Sequence, residues 1–126
     1  MKLSSLANLL SGRLSAASYS AEICAELTDH THQLQKLGAV ASVRVTEDVD
    51  LLLDRAGLGL LGRLFASGQL TAGELAYTAD ALQLSERVEF ASQDIVDHLA
   101  ECTDPEINGP LTAARALEIA GVGAAA

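Results

Sequence analysis

Asp94, His98 and Cys102 recur at steps of four, so a helix through this segment projects all three from one face. A carboxylate, an imidazole and a thiol in that order are the groups that ligate zinc or build a Cys–His nucleophile. Zinc needs a further ligand or water, and the nucleophile needs an orienting group and an oxyanion hole; the sequence identifies neither. A half-buried His and a core Cys is the reading we take. Glu26, Asp29, His30 and His32 form a second polar cluster. On a helix, positions i and i+2 point about 200° apart, so His30 and His32 cannot share one ion and a solvated face is expected. Gly57-Leu58-Gly59 with Gly62 lacks the preceding strand and the spacing of a phosphate loop. No G-x-S-x-G elbow, H-E-x-x-H pair or paired CxxC occurs. The expectation is a protein that is not an enzyme, with no catalytic residues, no metal and no cofactor.

The densest charge pattern is acidic. Glu86, Glu89, Asp94, Asp97, Glu101, Asp104 and Glu106 are offset only by Arg87. Asp94, Asp97 and Glu101 fall along one side of a helix, where like charges cost a few tenths of a kcal/mol each. A solvated face is one reading. The other is a docking surface on which charge speeds association and selects partners. The formal net charge is −9, and the eight Lys and Arg residues are scattered singly from Lys2 to Arg115. Phosphate backbones and anionic lipid are bound by clusters of basic residues, so neither nucleic acid nor membrane is expected as a partner. A basic protein is.

Helices must position these groups. At 126 residues the chain is sized for a single domain, and 49% of it is apolar with only 3% aromatic. Leu and Ala dominate, which favours helix over strand. Leu3, Leu6, Ala7, Leu10 and Leu14 lie at helical spacing. That outweighs the faint transit-peptide character of residues 1–21, which hold no Asp or Glu. Ser11-Gly12-Arg13-Leu14-Ser15-Ala16 recurs as Ser67-Gly68-Gln69-Leu70-Thr71-Ala72. In both, Gly suits the left-handed position after a helix and the following Ser or Thr suits the next N-cap, with Thr71 and Glu74 at capping-box spacing. Two αα-hairpins follow from these turns.

The residues therefore divide into an N-terminal hairpin (1–38), a linker (39–45), a second hairpin (46–84), C-terminal helices (85–120) and a frayed tail (121–126). In the first hairpin the long helix runs from about Ser15 to Leu37, with Ile23, Leu27, Leu34 and Leu37 inward. Thr46 is expected to cap a helix whose first turn holds Glu47, Asp48 and Asp50. Its inner side would use Val49, Leu52, Leu53, Leu60, Leu61, Leu64 and Phe65, with a kink or break near Gly57. Leu75, Ala79 and Leu82 face inward from a helix over about 72–84, and Val88 and Phe90 plug the core. Further helices span about 92–102 and follow Thr112, the last one including Leu117 and Ile119. The fold class is all-α: a single irregular bundle of five or six helices built from antiparallel αα-hairpins. Cys24 and Cys102 read as reduced, buried thiols in a chain without an evident secretory signal, and the cytoplasm is the expected location.

Two stretches carry a resemblance. Gly68-Gln69-Leu70-Thr71-Ala72-Gly73-Glu74-Leu75 with Ala79-Asp80, and Pro105-Glu106-Ile107-Asn108-Gly109-Pro110-Leu111-Thr112, resemble small uncharacterised bacterial helical proteins. Some of those look like immunity proteins of polymorphic toxin systems. The similarity covers about residues 44–119. The resembling proteins tend to carry Trp where this chain has Thr78, and this chain has no Trp. The resemblance implies toxin neutralisation and supplies no functional residues. Charge, missing catalytic motifs and the resemblance together give the leading expectation. It is an immunity-type module that occludes a basic toxin or effector with Glu86, Glu89, Asp94, Asp97, Glu101, Asp104 and Glu106. The first alternative is a self-associating structural or adaptor protein, a homodimer formed through residues 57–65. A metal-dependent enzyme centred on His98 and Cys102 is the second.

Overall fold

The computed structural model describes residues 1–35, 45–102 and 112–119, with side chains at 30–35 left outside the description. Among these residues it has six helices: α1 (Leu3–Leu10), α2 (Ala16–Gln35), α3 (Arg55–Ala66), α4 (Ala72–Leu84), α5 (Gln93–Glu101) and α6 (Ala113–Ile119). Two three-residue strands, β1 (Leu51–Leu53) and β2 (Val88–Phe90), complete it. The class is mostly all-α, as the composition predicts. The linker over 39–44, the tail beyond 120, and Asp104 and Glu106 lie outside the described residues.

The two turns noticed in the sequence have one geometry. Gly12 and Gly68 adopt φ of +83° and +81°, the left-handed conformation that a Cβ disfavours. The N–H groups of Arg13 and Leu14 donate to the Asn8 carbonyl at 2.8 and 3.1 Å, and those of Gln69 and Leu70 to Leu64 at 2.9 and 3.1 Å. Ser11 and Ser67 hydroxyls donate to those same carbonyls, at 3.2 and 3.1 Å. Each following helix is capped alike: Ser15 Oγ accepts from the Ser18 N–H, and Thr71 Oγ1 accepts from the Glu74 N–H, both at 3.1 Å. Thr71 and Glu74 form the full capping box. Two six-residue stretches, identical at four positions, therefore encode one turn twice.

The core gathers around α4. Leu75, Tyr77, Thr78, Ala79, Ala81 and Leu82 are all buried, so this helix is enclosed on nearly every side. Leu3, Leu6 and Leu9 of α1, Tyr19 and Ile23 of α2, Leu58 and Leu61 of α3, and Ile95 and Leu99 of α5 pack into the same cluster. Ile119 and Ala116 are the buried residues of α6, and Leu117 is 37% exposed. Where α2 meets α4, the Tyr19 hydroxyl lies 2.5 Å from Thr78 Oγ1 and donates to Met1 Sδ at 3.0 Å. Burial raises the Tyr19 phenol above its ordinary value. Thr78 thus faces Tyr19, and a Trp at this position would need the space Tyr19 fills.

The segment from Thr46 departs from expectation. Residues 46–50 are not helical, and Leu51–Leu53 is a strand paired in parallel with Val88–Phe90, in the register Leu51 to Val88, Leu52 to Glu89 and Leu53 to Phe90. The helix begins only at Arg55, because Asp54 supplies the cap: its Oδ1 accepts from the Gly57 N–H at 2.8 Å. Apolar periodicity cannot distinguish a short run such as Val49 to Leu53 as helix or strand; here a partner distant in sequence decides it. Asp48 still serves a helix N-terminus, but that of α1. Its two oxygens accept from the Ser4 N–H at 3.0 Å and the Ser4 hydroxyl at 2.6 Å. These bonds hold its carboxyl below the usual range. α1 has no side-chain cap of its own at Lys2.

α3 is unbroken through Gly57, Gly59 and Gly62, and all three are buried. A Cβ at Gly57 would stand 2.9 Å from Leu53 Cδ1 and 3.6 Å from Leu10 Cδ1. Close approach, not a kink, is the use of that glycine. α3 packs mainly on α6, and also touches α1, α4 and α5.

Candidate functional site

α5 carries the ligand-like trio, and its local chemistry is set by arginines from other elements. Ile95 and Leu99 are its buried residues, which leaves Asp94 and Asp97 exposed and His98, Glu101 and Cys102 half-buried. Asp94 accepts from Ser92 Oγ and forms an ion pair with Arg55 at the start of α3. The Ser92 hydrogen bond, then the Arg55 charge, holds its carboxyl below the usual range. Arg55 also approaches His98 Nδ1, at 3.5 Å, and donates to the Ile119 carbonyl at 3.4 Å. A guanidinium beside the Asp94 carboxylate and the imidazole opposes a metal cation there. Cys102 Sγ points back to the His98 carbonyl at 3.5 Å, and burial pushes the thiol up to about 11. Such a thiol is a poor nucleophile at neutral pH. Among the described residues no group of three or more His, Cys, Asp or Glu is arranged to hold a metal ion.

Glu26 of the second polar cluster turns inward. One oxygen accepts from the Met1 amine at 2.5 Å and the other, Oε1, is buried with no hydrogen-bond partner among the described residues. A cleft of about 420 Å³ opens beside it, between Met1, Lys2, Ser5, Glu22, Ile23 and Thr46. Asp29 is exposed, and the side chains of His30 and His32 lie outside the described residues. Both cysteines are free; Cys24, expected buried, is exposed, and Cys102 is half-buried.

The acidic run is distributed over three elements. Glu86 lies in the turn after α4, Glu89 on β2, and Asp94, Asp97 and Glu101 on α5. Glu101 receives two hydrogen bonds from Arg115 of α6, at 2.8 and 2.9 Å, and these hold its carboxyl below the usual range. Among the described residues, Asp97 accepts from Gln93 Nε2, at 3.2 Å. Arg87, the sole basic residue within the run, is turned to Asp50 at 2.8 Å and the Glu47 carbonyl at 2.7 Å. Sequence spacing grouped Asp94, Asp97 and Glu101 but missed that Arg55 and Arg115 come from distant segments to pair two of them. The strand Leu51–Leu53 had no signal to find: Asp50-Leu51-Leu52-Leu53-Asp54 shows no polar–apolar alternation, and exposed and inward positions alternate only in the fold. Leu52, expected inward on a helix, is 57% exposed.

No protein-family profile, no curated protein and no solved structure matches the chain. No helix among the described residues is long and apolar enough to cross a membrane.

Proposed function

We propose that this chain is an acidic protein-binding module of immunity type, whose partner is a basic toxin or effector. One observation carries the reading. Arg55, Arg87 and Arg115 are each committed to carboxylates of the same chain, while Glu86, Glu89 and Asp97 stay exposed with no basic partner among the described residues. The formal charge of −9 is therefore not balanced locally around these groups. Uncompensated surface carboxylates attract a basic partner at a distance and favour it over acidic ones. Asp94 and Glu101 contribute to this field, but pairing reduces what they offer to a partner.

Immobilised protein tests the reading against lysate of the source organism at low and moderate salt. A basic protein captured at low salt and released by salt is expected, with capture weakened in the double variant Glu89→Lys/Asp97→Lys. Equal capture by both forms refutes the role of these carboxylates. The alternative, self-association through residues 57–65, has less surface to work with, because Gly57, Leu58, Gly59, Leu61 and Gly62 are buried within the chain itself.

A further inference from the structure

The β1–β2 pair has one face against the core and one face open. On β1, Leu53 is fully buried while Asp50, Leu52 and Asp54 are exposed; on β2, Val88 is buried while Arg87, Glu89 and Ala91 are exposed. The pairing extends past the strand ends through the Leu51 N–H on the Arg87 carbonyl and the Ala91 N–H on the Leu53 carbonyl, both 3.0 Å. The Asp50–Arg87 ion pair is a cross-strand contact on the open face. Arg87 spends its charge there and on the Glu47 carbonyl. What remains is Leu52, 57% exposed, in register beside Glu89, with Asp54 just after β1. Asp54 gives one oxygen to the Gly57 N–H and leaves the other for solvent.

We infer that this open sheet face, centred on Leu52 and edged by Glu89 and Asp54, is the docking surface for a basic segment of the protein partner. The inference rests on the binding role proposed above and locates it. An Arg or Lys side chain lays its alkyl stem on Leu52 and carries its cationic head to Glu89 or Asp54. An exposed Leu alone asks for no particular partner. Beside exposed carboxylates with no basic partner among the described residues, it selects a long cationic side chain over an acidic or purely apolar one. Charge also excludes the other occupants. In a symmetric dimer the same patch meets itself, so Glu89 and Asp54 would oppose their own copies, and anionic lipid is repelled in the same way.

The test is an NMR titration of the full ¹⁵N-labelled chain with a short synthetic peptide alternating arginine and leucine. Shifts are expected to concentrate at residues 50–54 and 86–91. Leu52→Lys places a cation at the centre without disturbing a buried group, and should weaken binding about tenfold, against about threefold for Leu52→Ala and Glu89→Gln. Glu22→Gln on α2, an exposed carboxylate away from the sheet, should leave the affinity unchanged, and far-ultraviolet circular dichroism should show every variant folded. Shifts centred on α2 or α5, or losses that follow net charge while Leu52→Ala binds normally, overturn the sheet face and leave the acidic binding role intact. Concentration-dependent shifts at 50–54 without peptide would assign the face to a second copy and overturn the inference. Absence of peptide binding at low salt overturns it as well; the wider reading falls only if the lysate experiment also returns no basic protein.

Discussion

Thr78→Val is expected to destabilise this protein by about 2 kcal/mol, and Tyr19→Phe by only about 1 kcal/mol. Both side chains are completely buried and their oxygens are 2.5 Å apart. Valine keeps the shape of Thr78 but removes the oxygen, which leaves the Tyr19 hydroxyl with the Met1 thioether, a weak acceptor 3.0 Å away. An unsatisfied buried polar group costs about 1–3 kcal/mol. The reverse change is milder, because a Thr hydroxyl within a helix can turn onto the carbonyl one turn earlier. Removing both groups leaves nothing unpaired, so the double variant should cost about 1 kcal/mol rather than the sum, a coupling of about 2 kcal/mol. Urea unfolding followed by circular dichroism, extrapolated to water, measures all four corners of this cycle. Additive single effects, or a Thr78→Val variant within about 0.5 kcal/mol of the parent, would refute the claim that this pair is a closed polar contact between α2 and α4.

The glycines separate conformational from packing demands: Gly12→Ala and Gly68→Ala should each cost about 1 kcal/mol and by equal amounts, since both have positive φ and open space around the absent Cβ. Gly57→Ala should also destabilise in the same urea assay, because a helix gain of up to ~1 kcal/mol is set against about 1–3 kcal/mol of overpacking on the buried Leu53; a stabilised variant would show that Leu53 gives way. Glu101, held below the ordinary glutamate range by Arg115, stabilises the fold above that range and ceases to do so as pH falls through its lowered value. Thermal melts of the parent and of Arg115→Met, which keeps part of the stem, should therefore converge in acid and separate towards neutral pH; a constant gap would show that the pair adds no pH-linked stability.

Much of the architecture was legible because its signals are local. A Gly with positive φ between a Leu-rich helix and a capping Ser or Thr specifies a helix–turn–helix connection regardless of what surrounds it, and both copies formed with the same hydrogen bonds. The helix over 72–84 and the inward places of Leu75, Ala79 and Leu82 followed from periodicity. The acidic run told the sign of the surface, since charge needs no partner to be counted.

What tertiary structure alone decided is which groups meet across the chain. Leu51–Leu53 is strand because residues 88–90, some 37 positions later in the register, complete it; a three-residue apolar run has no local means of choosing. The same pairing turned Leu52 outward and grouped it with Glu89 and Asp54. Asp48 caps α1 across the fold, and Arg55 and Arg115 reach Asp94 and Glu101 from other helices. Sequence spacing places residues on a face of one element. Packing determines what that face touches, because charge pairing and burial act through space and the chain brings distant residues together only when folded.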